Sequence, residues 1–162
     1  LLYEGKIDFA IVEGYFKTDN YETRIFKAEE YIAVSSAKHQ FQNPVHTLKD
    51  LTSERLLTRE HGSGTRAILT KTLALKNMSI QHFPHIVEVE NIHTIVSLLC
   101  QDCGISFLYK SAVEKEIANG ALMQIPLSDF MVMHDFTFLW NRDSIFSAEY
   151  ENIFEEFQSF LS

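Results

Sequence analysis

Short apolar runs alternate along the chain with stretches whose apolar residues recur every third or fourth position, and this alternation sets the expected elements. Residues 6–13 read as a buried strand, because Phe9, Ala10, Ile11 and Val12 are continuously apolar, as in a sheet covered on both faces. Ile25 and Phe26 centre a short strand over 23–28, and YIAVSS at 31–36, rich in β-formers, makes a separate one. Leu48 and Leu51 suggest a single helical turn after the loop around Pro44. A weak alternation around Leu56 and Leu57 gives a strand over 55–59. A helix over 65–77 follows on Ile68, Leu69, Leu73 and Leu75, with Asn77 as its stop.

The second half repeats the rhythm more clearly. Pro84 opens a strand carrying Ile86, Val87 and Val89. Asn91 is a good cap for a helix whose Ile92, Ile95, Val96 and Leu99 form one apolar face. ISFLY at 105–109 is a buried strand. Ser111 starts a helix through Val113, Ile117 and Ala118, which Asn119-Gly120 ends. A short strand covers 122–125, and FTFLW at 136–140 is a strong one. Ser147 is expected to cap a last helix whose apolar face is Tyr150, Ile153, Phe154, Phe157 and Leu161. Strands alternating with helices predict α/β layers with mostly parallel sheets.

The stretch with the most chemistry is the strand end, small-residue turn and helix start at 57–66 (LTREHGSGTR). Gly62 and Gly64 permit a sharp turn and a close ligand. Ser63 or Thr65 can cap the helix, whose first N–H groups and positive dipole end suit a carboxylate or similar anion. The same pattern also describes an ordinary capped helix start. Arg59 and His61 beside it read as solvated, and Arg66 as either an added charge or an exposed helix residue.

Composition narrows the classes. The 162 residues are 46% hydrophobic with 13 Phe, enough for one compact domain or two small lobes. A net charge of −8 argues against this chain gripping nucleic acid by itself. No run of about 18 apolar residues is present, so no membrane partner is expected. Tyr3-Glu4-Gly5-Lys6 interrupts the apolar start, unlike a secretory leader. Leu1-Leu2 before Gly5 resembles the last turn of a helix, which points to a longer parent. Cys100 and Cys103 form a CxxC pair at a helix end, the wrong pole for an activated thiol, and no second pair completes a zinc site. They read as structural thiols. His82, His85 and His93 lack metal spacing, and neither metal nor cofactor is expected.

In order and with fitting gaps, these pieces resemble the effector-binding domain of LysR-type transcriptional regulators. They are LYEGKIDFAIV at 2–12, Leu48-Lys49-Asp50-Leu51 before a strand, Gly62-Ser63-Gly64-Thr65-Arg66, Glu90-Asn91 heading a helix, Gly104-Ile105-Ser106-Phe107-Leu108, Ser111-Ala112-Val113 and the closing helix. Two positions depart from the family: Tyr109 stands where a proline is common, and Asp102 where the Asn-headed helix usually ends in glycine.

The resemblance implies a two-lobed fold like the type 2 periplasmic binding proteins, with two crossover strands. Lobe one would take 1–30 and 137–162, without its first strand and helix, and lobe two 31–136. A small, anionic effector would bind in the cleft between them. The implied contacts are Ser63, Gly64 and Thr65 with Phe107, Leu108 and Tyr109, and Glu13 and Gly14 from the other side. The implied parent is a cytoplasmic homodimer or tetramer that reads DNA through a separate helix-turn-helix module. An extracytoplasmic solute-binding protein of the same fold is the alternative. An enzyme is not expected, since Gly62-Ser63-Gly64 does not match G-x-S-x-G and His61 is too near in sequence to act as a positioned base.

Overall fold

The computed structural model describes residues 1–13 and 19–161. The chain forms two compact units. Unit 1 holds Leu1–Glu29 and His134–Ser162, and unit 2 holds Glu30–Met133.

Unit 1 contains strand β1 (Phe9–Glu13), the first part of β2 (Tyr21–Ser36), most of β7 (Val132–Asn141) and helix α4 (Ser147–Ser159). β1 runs antiparallel to β7, with Phe9 opposite Trp140 and Glu13 opposite Phe136. Phe138, Trp140 and Tyr150 are its buried centre, and Phe9, Phe26, Ile153, Phe154 and Phe157 pack around them. The abundance of Phe is spent here: the Phe9 and Phe138 rings stack 5.0 Å apart, and Phe154 lies 5.6 Å from Phe138. Two expectations for α4 are corrected. Ser147 is inside the helix, not its cap; its hydroxyl donates to Ser144 O at 2.8 Å and accepts from Trp140 Nε1 at 3.2 Å. Leu161 lies beyond the helix end and is exposed, so the apolar face closes at Phe157.

Unit 2 contains the rest of β2, β3 (Arg55–Thr58), α1 (Gly64–Ala74), β4 (His85–Glu88), α2 (Ile92–Cys100), β5 (Ile105–Tyr109), α3 (Glu114–Ala118) and β6 (Leu122–Gln124). β3 is parallel to both β4 and β5, while β2 is antiparallel to β5 and β6. Parallel pairing occurs in β5-β3-β4, where helices connect the strands, and antiparallel pairing elsewhere makes the sheet as a whole mixed. One core lies under α2 and α3: Ile32, Val34, Leu57, Ile95, Leu99, Leu108, Val113 and Leu122 are all buried in it. Gly104 joins α2 to β5 at φ +145°, and a Cβ there would lie 2.4 Å from the Arg55 carbonyl oxygen, so only glycine fits. Thr47 and Asp50 form a capping box on the 3-10 helix Leu48–Ser53.

The two strands expected over 23–28 and 31–36 are one strand of 16 residues. Adjacent carboxylates at Glu29 and Glu30 look like a break, but each is matched. Glu29 pairs with Lys27, two residues earlier on the same strand. Glu30 pairs with Lys110 at 2.9 Å and accepts from the Gln124 amide at 3.3 Å. The chain passes between the units twice, within β2 and within β7, the two crossover strands that the resemblance implies. Helix α1 ends at Ala74, leaving Leu75 exposed; Asn77, at φ +56°, completes the stop.

Candidate functional site

The turn between β3 and α1 has the form expected of a helix start. Gly62 sits at φ +96°, and Ser63 then takes the extended conformation of an N-cap. The Ser63 hydroxyl oxygen accepts weakly from the Arg66 N–H at 3.5 Å. Among the described residues its own O–H has no acceptor and the Gly64 N–H has none either. Thr65 is buried, and its carbonyl oxygen accepts from the Tyr31 hydroxyl at 2.9 Å. Tyr31 is itself buried on β2, so this bond pins the first turn of α1 to the sheet.

Charges around the turn are paired. Arg59 donates from Nε and Nη2 to the two oxygens of Glu60 at 2.7 and 2.8 Å. This bidentate bond holds the Glu60 carboxyl below its ordinary range. Arg66 donates from Nη1 to the Arg59 carbonyl at 3.0 Å and to Glu88 Oε2. The other Glu88 oxygen accepts from the His61 N–H at 3.4 Å. Glu88 is likewise held low, first by the Arg66 guanidinium and then by the His61 N–H. A groove of about 400 Å³ runs along the outer side of α1, lined by His61, Ser63, Arg66, Thr70 and Lys71.

The other expected residues divide. Phe107 and Tyr109 fall on the sheet face that carries Tyr31, at 3% and 6% exposure. Phe107 packs on Phe130 at 5.1 Å, and Tyr109 sets its ring edge-on to Tyr31 at 5.4 Å. They support the strand behind the α1 start. Leu108, one residue between them, points to the opposite face and packs into the core under α2. Glu13 is half-buried at the end of β1 in unit 1, and Gly14 lies outside the described residues. Asn91 caps α2 as expected, accepting from the His93 and Thr94 N–H groups at 2.8 and 3.3 Å. Cys100 and Cys103 are free thiols, both partly buried. No group of three or more metal-ligating side chains is present among the described residues, and no helix is long and apolar enough to cross a membrane.

Sequence reasoning missed Tyr31, Glu60 and Glu88. Only Glu60 had a local signal, the adjacent Arg59. Tyr31 and Glu88 act across 34 and 22 residues of chain.

The architecture defines a class: α/β units with crossover strands and a capped, glycine-flanked helix start, as in LysR regulatory domains. Residues 1–161 match the family model of the LysR substrate binding domain, and the chain belongs to that family. An uncharacterized HTH-type transcriptional regulator of Methanocaldococcus jannaschii is 27% identical over 80% of this chain and 44% of its own length. The transcriptional regulator CbbR of Xanthobacter flavus is 27% identical over 75% of this chain and 37% of its own. The chain therefore spans less than half the length of these relatives. Among solved structures, the regulatory domain of CcmR from Synechocystis PCC6803, in complex with 2-PG, has a TM-score of 0.81 at 16% identity, covering 98% of this chain and 76% of that one. The regulatory domain of the LysR family regulator MetR from N. meningitidis has a TM-score of 0.77 at 20% identity, covering 99% and 74%.

Proposed function

We propose that this chain is the ligand-sensing part of a LysR-type transcription regulator and that it holds a small anion at the Ser63 turn. The family match over residues 1–161 carries the first half of this reading. Named relatives that regulate transcription favour a sensor over a solute-binding protein. The Ser63 O–H and Gly64 N–H, two donors at the positive end of α1, support the second half. Structural neighbours have been solved with shikimate and with bromide ion, both anions, which agrees with this charge preference.

The sensor works by differential affinity. An anion that binds one conformation of the domain better shifts the population toward it. The parent protein acts in the cytoplasm as an oligomer and reads DNA through a helix-turn-helix module; the acidic balance of this chain leaves DNA contact to that module. The reaction class is binding without covalent chemistry.

Calorimetric titration of the chain and its Ser63→Ala variant with shikimate, 2-PG and inorganic phosphate tests the site. Wild-type binding that weakens about tenfold in the variant is expected, as for loss of a hydrogen bond to a charged group. Equal affinities would remove this turn from the site.

A further inference from the structure

A cavity of about 510 Å³ opens beside the far end of α1, away from the Ser63 turn. Three separate elements bring donor side chains to its wall. The 3-10 helix Leu48–Ser53 supplies Lys49, the turn after α1 supplies Lys76 and Asn77, and the 3-10 helix Ile80–His82 supplies His82. Among the described residues the Lys49 ammonium, the Asn77 carboxamide and His82 Nε2 have no hydrogen-bond or ion-pair partner. The His82 ring is set by its own backbone: Nδ1 accepts from the Ser79 N–H at 2.9 Å, which places the ring N–H at Nε2. The negative groups nearby are already matched. Asp129 accepts from the Leu48 N–H at 2.9 Å through Oδ1 and faces Lys76 at 3.8 Å through Oδ2. Two closing carbonyls of α1 are satisfied as well: Leu73 O accepts from the Lys76 and Met78 N–H groups, and Ala74 O from the Asn77 N–H. Lys49 is left as uncompensated positive charge in a chain of net charge −8, where Lys6, Lys27 and Lys110 each stand against a glutamate.

We propose that this cavity is a second anion site, separate from the Ser63 turn, and that it takes a phosphate group. A tetrahedral group presents oxygens in several directions at once, which suits donors that arrive from three elements. Lys49 supplies the charge, and His82 Nε2–H and the Asn77 amide supply directed bonds. Asp129 is a positioning residue: it ties the start of one 3-10 helix to Lys76 at the end of α1 and so fixes the wall. The cavity is larger than a bare phosphate requires, and Met78 offers apolar surface to the organic body of a phosphomonoester. Eleven residues of α1 at about 1.5 Å each put the site about 16 Å from the Ser63 turn, and it does not rest on the reading of that turn.

Nuclear magnetic resonance titration of the full chain with glycerol 3-phosphate, inorganic phosphate and chloride tests this. The backbone N–H signals of Thr52, Asn77 and His82, and His82 Nε2 itself, should move with both phosphates and stay in place with chloride at equal ionic strength. An ester that binds more than about threefold tighter than inorganic phosphate assigns the site to phosphomonoesters, and equal binding assigns it to free phosphate. Lys49→Gln, at an exposed position, should weaken both phosphates about fivefold. His82→Glu keeps an acceptor for the Ser79 N–H, as in a capping box, and sets a carboxylate against the phosphate, so binding should fall below detection. Ser63→Ala should leave all of these signals responding as in wild type. Signals that neither phosphate moves, or that chloride moves equally, overturn the proposal. Unchanged affinity in Lys49→Gln does so too, and that variant decides the matter if His82→Glu fails to fold. Phosphate that moves the Ser63 and Gly64 signals and none of these sinks this inference and spares the reading of the turn.

Discussion

Unit 2 contains two strand–turn–helix passages built on the same plan, β3 into α1 and β4 into α2, and they finish their helix starts in opposite ways. At α2, the Asn91 carboxamide accepts from two backbone N–H groups, and the helix needs nothing from outside. At α1, Ser63 reaches one N–H at the long limit of 3.5 Å, and among the described residues its own O–H and the Gly64 N–H have no acceptor. Both helices bury apolar residues, Ile68, Leu69 and Leu73 in α1, but their first turns are anchored differently. Ile95, Val96 and Leu99 seat α2 in the core by a strong apolar stripe. The α1 start is held by polar straps: the Tyr31 hydroxyl on the Thr65 carbonyl and Glu88 on Arg66. A helix start closed by its own cap is structural. One held from behind and left open in front can take a ligand.

The largest expected effect falls on the apolar side of this contrast. Ile95→Ala, at a fully buried position, should destabilise unit 2 by about 3 kcal/mol, read from denaturant melts. A loss under about 1 kcal/mol would mean that α2 is not the seated helix described here.

A middle effect separates the two caps. Asn91→Ala should cost about 1 kcal/mol of stability and leave anion affinity alone. Ser63→Ala should do the reverse, with a smaller stability change and the affinity loss given above. If Asn91→Ala also weakened anion binding, the two starts would not be functionally distinct.

The smallest effect is electrostatic. Glu60 and Glu88 have carboxyl groups held below the ordinary value of 4.5, by Arg59 and Arg66 respectively. A depressed folded value means that each contributes stability above the unfolded value and loses it as pH falls through the folded one. Glu88 is exposed and Glu60 is only partly buried, so solvent screening keeps the effect modest. Backbone amide protection at His61 and Arg66 should therefore decline as pH drops below about 4.5, while His93 and Thr94, capped by an uncharged amide, should hold. Parallel loss at all four would erase the distinction.

Much of this architecture was legible because it is local. Asn91 and Ser63 announce helix starts through hydrogen bonds that span three residues or fewer. The apolar stripe of α2 and the run Ile105 to Tyr109 declare themselves by period and by β propensity. The misreadings are just as informative. The strands expected over 23–28 and 31–36 are one, and the Glu29 and Glu30 between them are matched by Lys27 and Lys110. Leu108 and its neighbours Phe107 and Tyr109 read as one continuous apolar run, yet the pleat sends Leu108 to α2 and the aromatic pair to the opposite face.

What the chain determined by itself is therefore the kind and order of its elements, since turn chemistry and hydrophobic period act within a few residues. Tertiary structure alone decided which face each β5 side chain meets, that β2 runs unbroken for 16 residues, and that Tyr31 and Glu88 converge on the start of α1. The reason is physical. A hydrogen bond between residues far apart in sequence depends on strand register and helix placement. No local propensity encodes these, and they exist only once the sheet has formed.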